Sequence, residues 1–122
     1  MEILMQVQRT SRKAPRVPVS FMASCCQQDL NELGAKAYNL SPGGIGIKTN
    51  YPLSVKERLA VAFQLPDTFD TVLCVTGEVA WLQCNGDVPR REKTFFTVGI
   101  KFLNVQESTR GILQEYIQSL VD

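Results

Sequence analysis

Asn39-Leu40-Ser41-Pro42-Gly43-Gly44-Ile45-Gly46 places two small polar side chains, a proline and three glycines between an apolar run that ends near Leu40 and another that resumes at Ile45. A strand that stops, turns and restarts is written this way. Pro42 presets φ for the second position of a turn, and Gly43 and Gly44 are able to accept the positive φ that such turns often demand. Gly46 lies beyond the turn, inside the returning strand, where a missing side chain weakens the sheet unless something must approach the backbone closely. Asn39 and Ser41 add an amide and a hydroxyl beside that bare backbone. The bend is therefore both a hairpin and a candidate rim of a polar ligand site.

Reading outward from the bend, the chain alternates with period two. Gly34 to Leu40 forms the strand entering it, and Ile45 and Ile47 share a face of the strand leaving it, which ends at Thr49-Asn50-Tyr51-Pro52. Upstream, Val17, Val19, Phe21 and Ala23 make a first strand with Pro18 near its beginning, and residues 27–34 are polar enough for a connecting loop. Downstream, Leu59, Val61, Phe63 and Leu65 alternate until Pro66-Asp67. Residues 71–84 read as one long strand or a bulged pair, with Leu73, Val75, Gly77, Val79 and Trp81 on one face and Gly77 as the candidate bulge. Asn85-Gly86-Asp87 is a turn, Arg90, Arg91 and Lys93 fall in a solvated loop, and Phe96, Val98, Ile100 and Phe102 line a last strand. Asn104 and Glu107 have capping-box spacing and open a helix over 105–121. Its stripe of Ile112, Leu113, Tyr116, Ile117, Leu120 and Val121 docks on the sheet or on another protein. The expected fold is all-β: a six-stranded antiparallel barrel, closed or nearly so, with a C-terminal α-helix.

A chain of 122 residues, 44% hydrophobic and 20% charged, is expected to form one globular domain with a real core. The first eight residues have too short an apolar run for a signal peptide or membrane span, so the expected location is cytoplasmic. There is no histidine, and the four cysteines form no C-x-x-C pair. That removes histidine-dependent triads and the usual zinc spacings. Cys25 and Cys26, as neighbours on a strand, point to opposite faces and read as reduced thiols. No P-loop or placed carboxylate pair is present, and the expectation is a binding protein without catalysis.

Net charge is +1, but residues 1–16 hold Arg9, Arg12, Lys13 and Arg16 against Glu2, and the remainder holds nine basic and eleven acidic groups. The basicity is concentrated in an N-terminal arm. Three of its four cations are arginines, whose planar guanidinium grips a phosphate or a guanine edge through two parallel hydrogen bonds. If the first two strands run antiparallel, Arg16 and Asn39 meet although 23 positions apart.

Arg12-Lys13-Ala14-Pro15-Arg16 fits an R-x-x-x-R motif, and Asn39-x-Ser41-x-x-Gly44 fits a [D/N]-x-S-x-x-G motif. With the Arg16-Val17-Pro18-Val19 flank, Gly46, the run 77–81 and the run 98–102, the chain resembles PilZ domains, bacterial receptor modules for cyclic di-GMP, from about Arg9 to the C-terminus. The resemblance implies a split barrel at 17–103 and a helix at 105–121, preceded by a ligand-binding arm at 9–16 and a leader at 1–8. It implies cyclic di-GMP as ligand, held by Arg9, Arg12, Arg16, Asn39, Ser41, Gly44, Gly46 and Trp81, with no cofactor and no metal. Arg12 and Arg16 would clamp phosphate and the guanine edge. Asn39 stands where the family often has aspartate, and its uncharged amide makes a weaker arginine contact. Gly44 and Gly46 would leave space for the ligand against the sheet. Trp81 either packs in the core or stacks on a guanine. Ser11, before the arginine motif, is neither the bulky apolar residue nor the arginine associated with one or two bound ligands, so stoichiometry stays open. The expected partner is an unidentified effector protein of motility, secretion, pilus or biofilm control. RNA or single-stranded DNA is the rival guest rather than the expected one, and a ligand-blind adaptor is the other rival.

Overall fold

In the computed structural model, which describes residues 16–66, 71–85 and 95–121, the period-two runs become strands. They are β1 (Val17–Gln27), β2 (Glu32–Ser41), β3 (Gly44–Thr49), β4 (Arg58–Gln64), β5 (Val72–Asn85) and β6 (Phe95–Leu103), followed by the helix α1 (Glu107–Val121). Every neighbouring pair is antiparallel, and the order β1-β2-β3-β6-β5-β4 closes on itself as a barrel. In β4 the alternation is plain: Leu59, Val61 and Phe63 are buried, and the residues between them are not. The inward residues of all six strands make one core, through which Phe21, Phe63 and Phe102 stack with ring centroids 5.6 Å and 6.4 Å apart. Closure gives each of these six strands a partner on both sides over at least part of its length, which limits the unpaired edge that is the liability of an open sheet.

The expected bend is a two-residue connection, Pro42-Gly43, between the paired Ser41 and Gly44. Neither Gly43 nor Gly44 adopts the left-handed backbone that the turn composition suggests. Gly44 is needed for a different reason: a Cβ there would stand 2.5 Å from the carbonyl oxygen of Ile100 on β6. Half of the residues expected as a loop at 27–34 are strand. β1 runs on to Gln27 because its far edge is occupied by β4, where Gln27 faces Leu59, and β2 begins at Glu32. A short turn joins them, closed by Leu30 N–H donating to Gln27 O at 2.8 Å.

Three strands carry one extra residue, and all three bulges lie toward the same end of the barrel. They fall between Pro18 and Phe21 in β1, between Ala37 and Asn39 in β2, and between Val79 and Trp81 in β5. A bulge shifts the phase of the alternation. In β5 the extra residue is Ala80 rather than anything at Gly77, so Trp81 leaves the face shared by Leu73, Val75 and Val79 and turns outward, 40% exposed. Gly77 keeps regular pairing, and its missing side chain makes room for Ile100 Cγ2, 2.4 Å from where a Cβ would stand.

Helix α1 buries Leu113, Tyr116 and Ile117 against β1 and β2, while Leu120 and Val121 stay exposed, so the apolar stripe docks over only part of its length. Its first intrahelical bond is Arg110 N–H to Gln106 O at 2.9 Å. Gln106 is therefore the N-cap, and the expected capping box does not form: Asn104 lies two residues earlier with a left-handed φ of 47°. Cys25 is buried and Cys26 half-buried, as opposite faces require, and burial pushes the Cys25 thiol up to about 11. All four cysteines are free.

Candidate functional site

Arg16 is exposed at the start of the described chain, one residue before β1, and the antiparallel register sets Val17 against Leu40 and Pro18 against Asn39. The strand that enters the bend thus ends beside the arm. Arg16 Nη1 donates to Asn39 Oδ1 at 3.1 Å, across 23 positions of sequence. The β2 bulge makes this possible. It inserts Tyr38 between the regular pairs Ala37–Ile47 and Asn39–Gly46, so Leu40 takes the inward position and Asn39 the outer face.

Across the outer face, one row of the ladder runs Asn39, Gly46, Gly99, Trp81 on four neighbouring strands. Two glycines stand side by side in the middle, each covered by a side chain from the next strand. A Cβ on Gly46 would meet Asn39 Oδ1 at 2.6 Å and Tyr38 Cζ at 2.8 Å. One on Gly99 would meet the Trp81 indole nitrogen at 2.2 Å. Gly46 therefore seats Asn39 and Tyr38, rather than leaving open space for a guest as the resemblance implies. Gly99 lets the indole lie flat on the sheet.

Beside this row is a cleft of about 230 Å³ lined by Arg16, Gly43, Gly44, Trp81, Gly99 and Lys101 among others. Its contents are two cations, bare glycine backbone and an aromatic surface, the parts a phosphate-bearing aromatic guest requires. Next to it, burial pushes the Tyr38 phenol up while the nearby charge of Arg16 pulls it back. Larger hollows of about 440 Å³ and 300 Å³ meet around Arg58, which the register separates from Lys101 of the cleft by one strand, β5. There Arg58 is already paired with Glu78 at 3.4 Å. No cluster of potential metal ligands occurs among the described residues, and no helix among them is long and apolar enough to cross a membrane.

The PilZ domain model matches residues 10–119 of the sequence. The chain belongs to the PilZ domain family. No curated protein matches the sequence. Among solved structures, the chain is similar to the PilZ domain with c-di-GMP of YcgR from Escherichia coli, at 21% identity and TM-score 0.72, covering 90% of this chain and 91% of that one. It also resembles the inhibitor of motility MotI/DgrA of Bacillus subtilis, at 18% identity and TM-score 0.71, over 90% of this chain and 51% of the other. A third likeness is to the PilZ domain of CeSA from a cellulose-synthesizing bacterium, at 14% identity and TM-score 0.63, over 88% and 99%. These are likenesses of fold, and the chain spans about half the length of several of these proteins, 46% of YcgR and 51% of MotI.

Within this PilZ barrel the site residues expected from sequence separate into groups. Arg16, Gly44 and Trp81 line one cleft, and Asn39 holds Arg16 at its edge. Ser41 Oγ accepts from Gly43 N–H at 3.3 Å and so braces the turn. Gly46 lies under Asn39. Arg9, Ser11 and Arg12, like the basic loop residues Arg90, Arg91 and Lys93, lie outside the described residues. Sequence reasoning did not select Gly99, Lys101 or Tyr38. Gly99 carried a usable signal, since it interrupts the apolar run Val98–Phe102 just as Gly46 interrupts Ile45 and Ile47. Tyr38 falls on the outward phase of β2 like Lys36, but nothing in the sequence marks it, because its seat over Gly46 is set by the register at the bulge.

Proposed function

We propose that this PilZ domain is a receptor for cyclic di-GMP that changes the conformation of its arm on binding and is read by a separate protein. The observation that carries this reading is the Arg16–Asn39 hydrogen bond at the mouth of a glycine-floored cleft walled by Trp81. Asn39 aims the guanidinium without neutralising it, so the charge stays available to a phosphate or a guanine edge. The arm's arginines repel one another when the site is empty, and a doubly anionic guest removes that repulsion. Charge-assisted bonds to the guest then offset the entropy of ordering the arm. The effector is proposed to read the reordered arm and the surrounding barrel surface.

Calorimetric titration with cyclic di-GMP, GMP and a single-stranded oligonucleotide tests the assignment. The expected result is tight binding of the cyclic dinucleotide, far weaker binding of GMP, and a change in Trp81 fluorescence on saturation. Tight oligonucleotide binding with no response to cyclic di-GMP would overturn it in favour of a nucleic-acid-binding barrel. Trp81→Ala should weaken the dinucleotide by about 1–3 kcal/mol, the worth of one base stacked on an aromatic ring. Because the indole is already 40% exposed, its loss should leave thermal unfolding near the wild-type midpoint. A large drop in that midpoint with unchanged affinity would return Trp81 to a packing role.

A further inference from the structure

We infer that Lys48, seated on Tyr38 and backed by Lys36, forms a second anion subsite on the outer face of β2 and β3, which takes the phosphate of the dinucleotide distal to Arg16. This deepens the receptor reading above and rests on it. The cleft beside Arg16 holds about 230 Å³. Pockets that enclose a drug-sized ligand hold roughly 300–1,000 Å³, so a guest of two nucleotides must extend past the cleft along the surface. At one end of the cleft stands Lys101, whose cross-strand neighbour on β5 is Glu78, itself paired with Arg58 at 3.4 Å, so the surface beyond that end carries both signs of charge.

The other direction leads past Asn39 and Tyr38 to Lys48, and there the charges are unanswered. Lys36 and Lys48 are direct cross-strand partners, both exposed on the outer face between buried neighbours. Like charges placed directly opposite destabilise a sheet, and among the described residues no carboxylate lies within ion-pair distance of either. The Lys48 ammonium is also held in place: Nζ lies 5.6 Å from the centroid of the Tyr38 ring and 6.0 Å from that of Phe95. Two rings that each attract a cation restrict where the ammonium sits, so less freedom is lost when an anion arrives. Tyr38 in turn lies over Gly46 and within reach of the Arg16 charge, which makes the cationic surface continuous from Arg16 to Lys48. The ammonium covers the Tyr38 face, so the guest that fits here is a phosphate rather than a second stacked base.

The test is titration of cyclic di-GMP into wild type, Lys48→Ala, Lys48→Glu and Arg16→Ala, with GMP as the single-phosphate control. Lys48→Ala is expected to weaken the dinucleotide about fivefold and Lys48→Glu more than about tenfold, as suits the removal and then the reversal of one exposed charge. Added salt should shrink both differences. GMP affinity should not change. The thermal midpoint of empty Lys48→Ala should not fall, because the substitution relieves the opposition to Lys36. Wild-type affinity in Lys48→Glu while Arg16→Ala has lost binding overturns the subsite and leaves the receptor reading intact. An affinity loss matched by a lower midpoint assigns Lys48 to packing and overturns it as well. Absence of dinucleotide binding by wild type removes both.

Discussion

Arg16→Ala is expected to weaken cyclic di-GMP binding by roughly 30- to 1,000-fold, about 2–4 kcal/mol, while leaving the barrel folded. The size follows from what the side chain offers. A guanidinium makes two parallel charge-assisted bonds to a phosphate or a guanine edge, and each bond to a charged group is worth about 1.5–3 kcal/mol before overlap between them is counted. The fold should survive because Arg16 is exposed and its hydrogen bond within the described structure is the one to Asn39. Arg16→Lys should rescue little, since an ammonium cannot reproduce the planar two-point grip. Asn39→Ala should weaken binding less than Arg16→Ala, because it removes the group that aims the guanidinium and leaves the guanidinium itself. Calorimetry gives the affinities, and thermal unfolding of the same samples shows whether the fold held. Wild-type affinity in Arg16→Ala would remove the basis of the proposed site.

Gly44→Ala should lose about 2–3 kcal/mol of stability, the cost of forcing extra volume into a tightly packed place. Gly43→Ala, one residue earlier, should be close to neutral. The contrast rests on what a Cβ would touch. At Gly44 it would stand 2.5 Å from the Ile100 carbonyl oxygen, and backbone cannot swing aside as a side chain can. At Gly43 nothing lies within 4 Å. The displacement at Gly44 would also disturb the bond from Phe102 N–H to Gly43 O, 2.9 Å, which ties the bend to β6. Denaturant midpoints for the two variants settle it. Equal stability would mean that the motif glycine serves the guest alone, as its place in the pattern suggests, and not the packing of the bend on β6.

Much of the site was legible before any coordinates. The pairing of arm and bend needed only antiparallel strands and a count of residues, and the distance between Arg16 and Asn39 agrees with it. Trp81 was legible as an aromatic and not by its face. Period-two alternation carried forward from Leu73 puts it inside, and one extra residue at Ala80 puts it outside. The glycines were legible as places where a side chain does not fit, and a sequence cannot say what occupies the space. For Gly44 it is a neighbouring strand's carbonyl, for Gly46 it is Asn39 and Tyr38, and for Gly99 it is the indole. The helix boundary failed for a related reason: Asn104 and Glu107 have the spacing of a cap, but a left-handed φ at Asn104 delays the first helical turn to Gln106.

What the sequence by itself determined is local and periodic. It set which residues alternate into strands, where the chain must turn, where arginines gather, and which short motifs stand at what separation, because side-chain direction repeats every two residues along any strand. Only the tertiary structure decided the phase of that alternation past each bulge and the cross-strand partner of each glycine. It also decided which cations face an acid and which, like Lys36 and Lys48, face each other. Those are properties of strands lying side by side, and the register between strands far apart in the chain is set by the closed barrel as a whole rather than by any one segment of it.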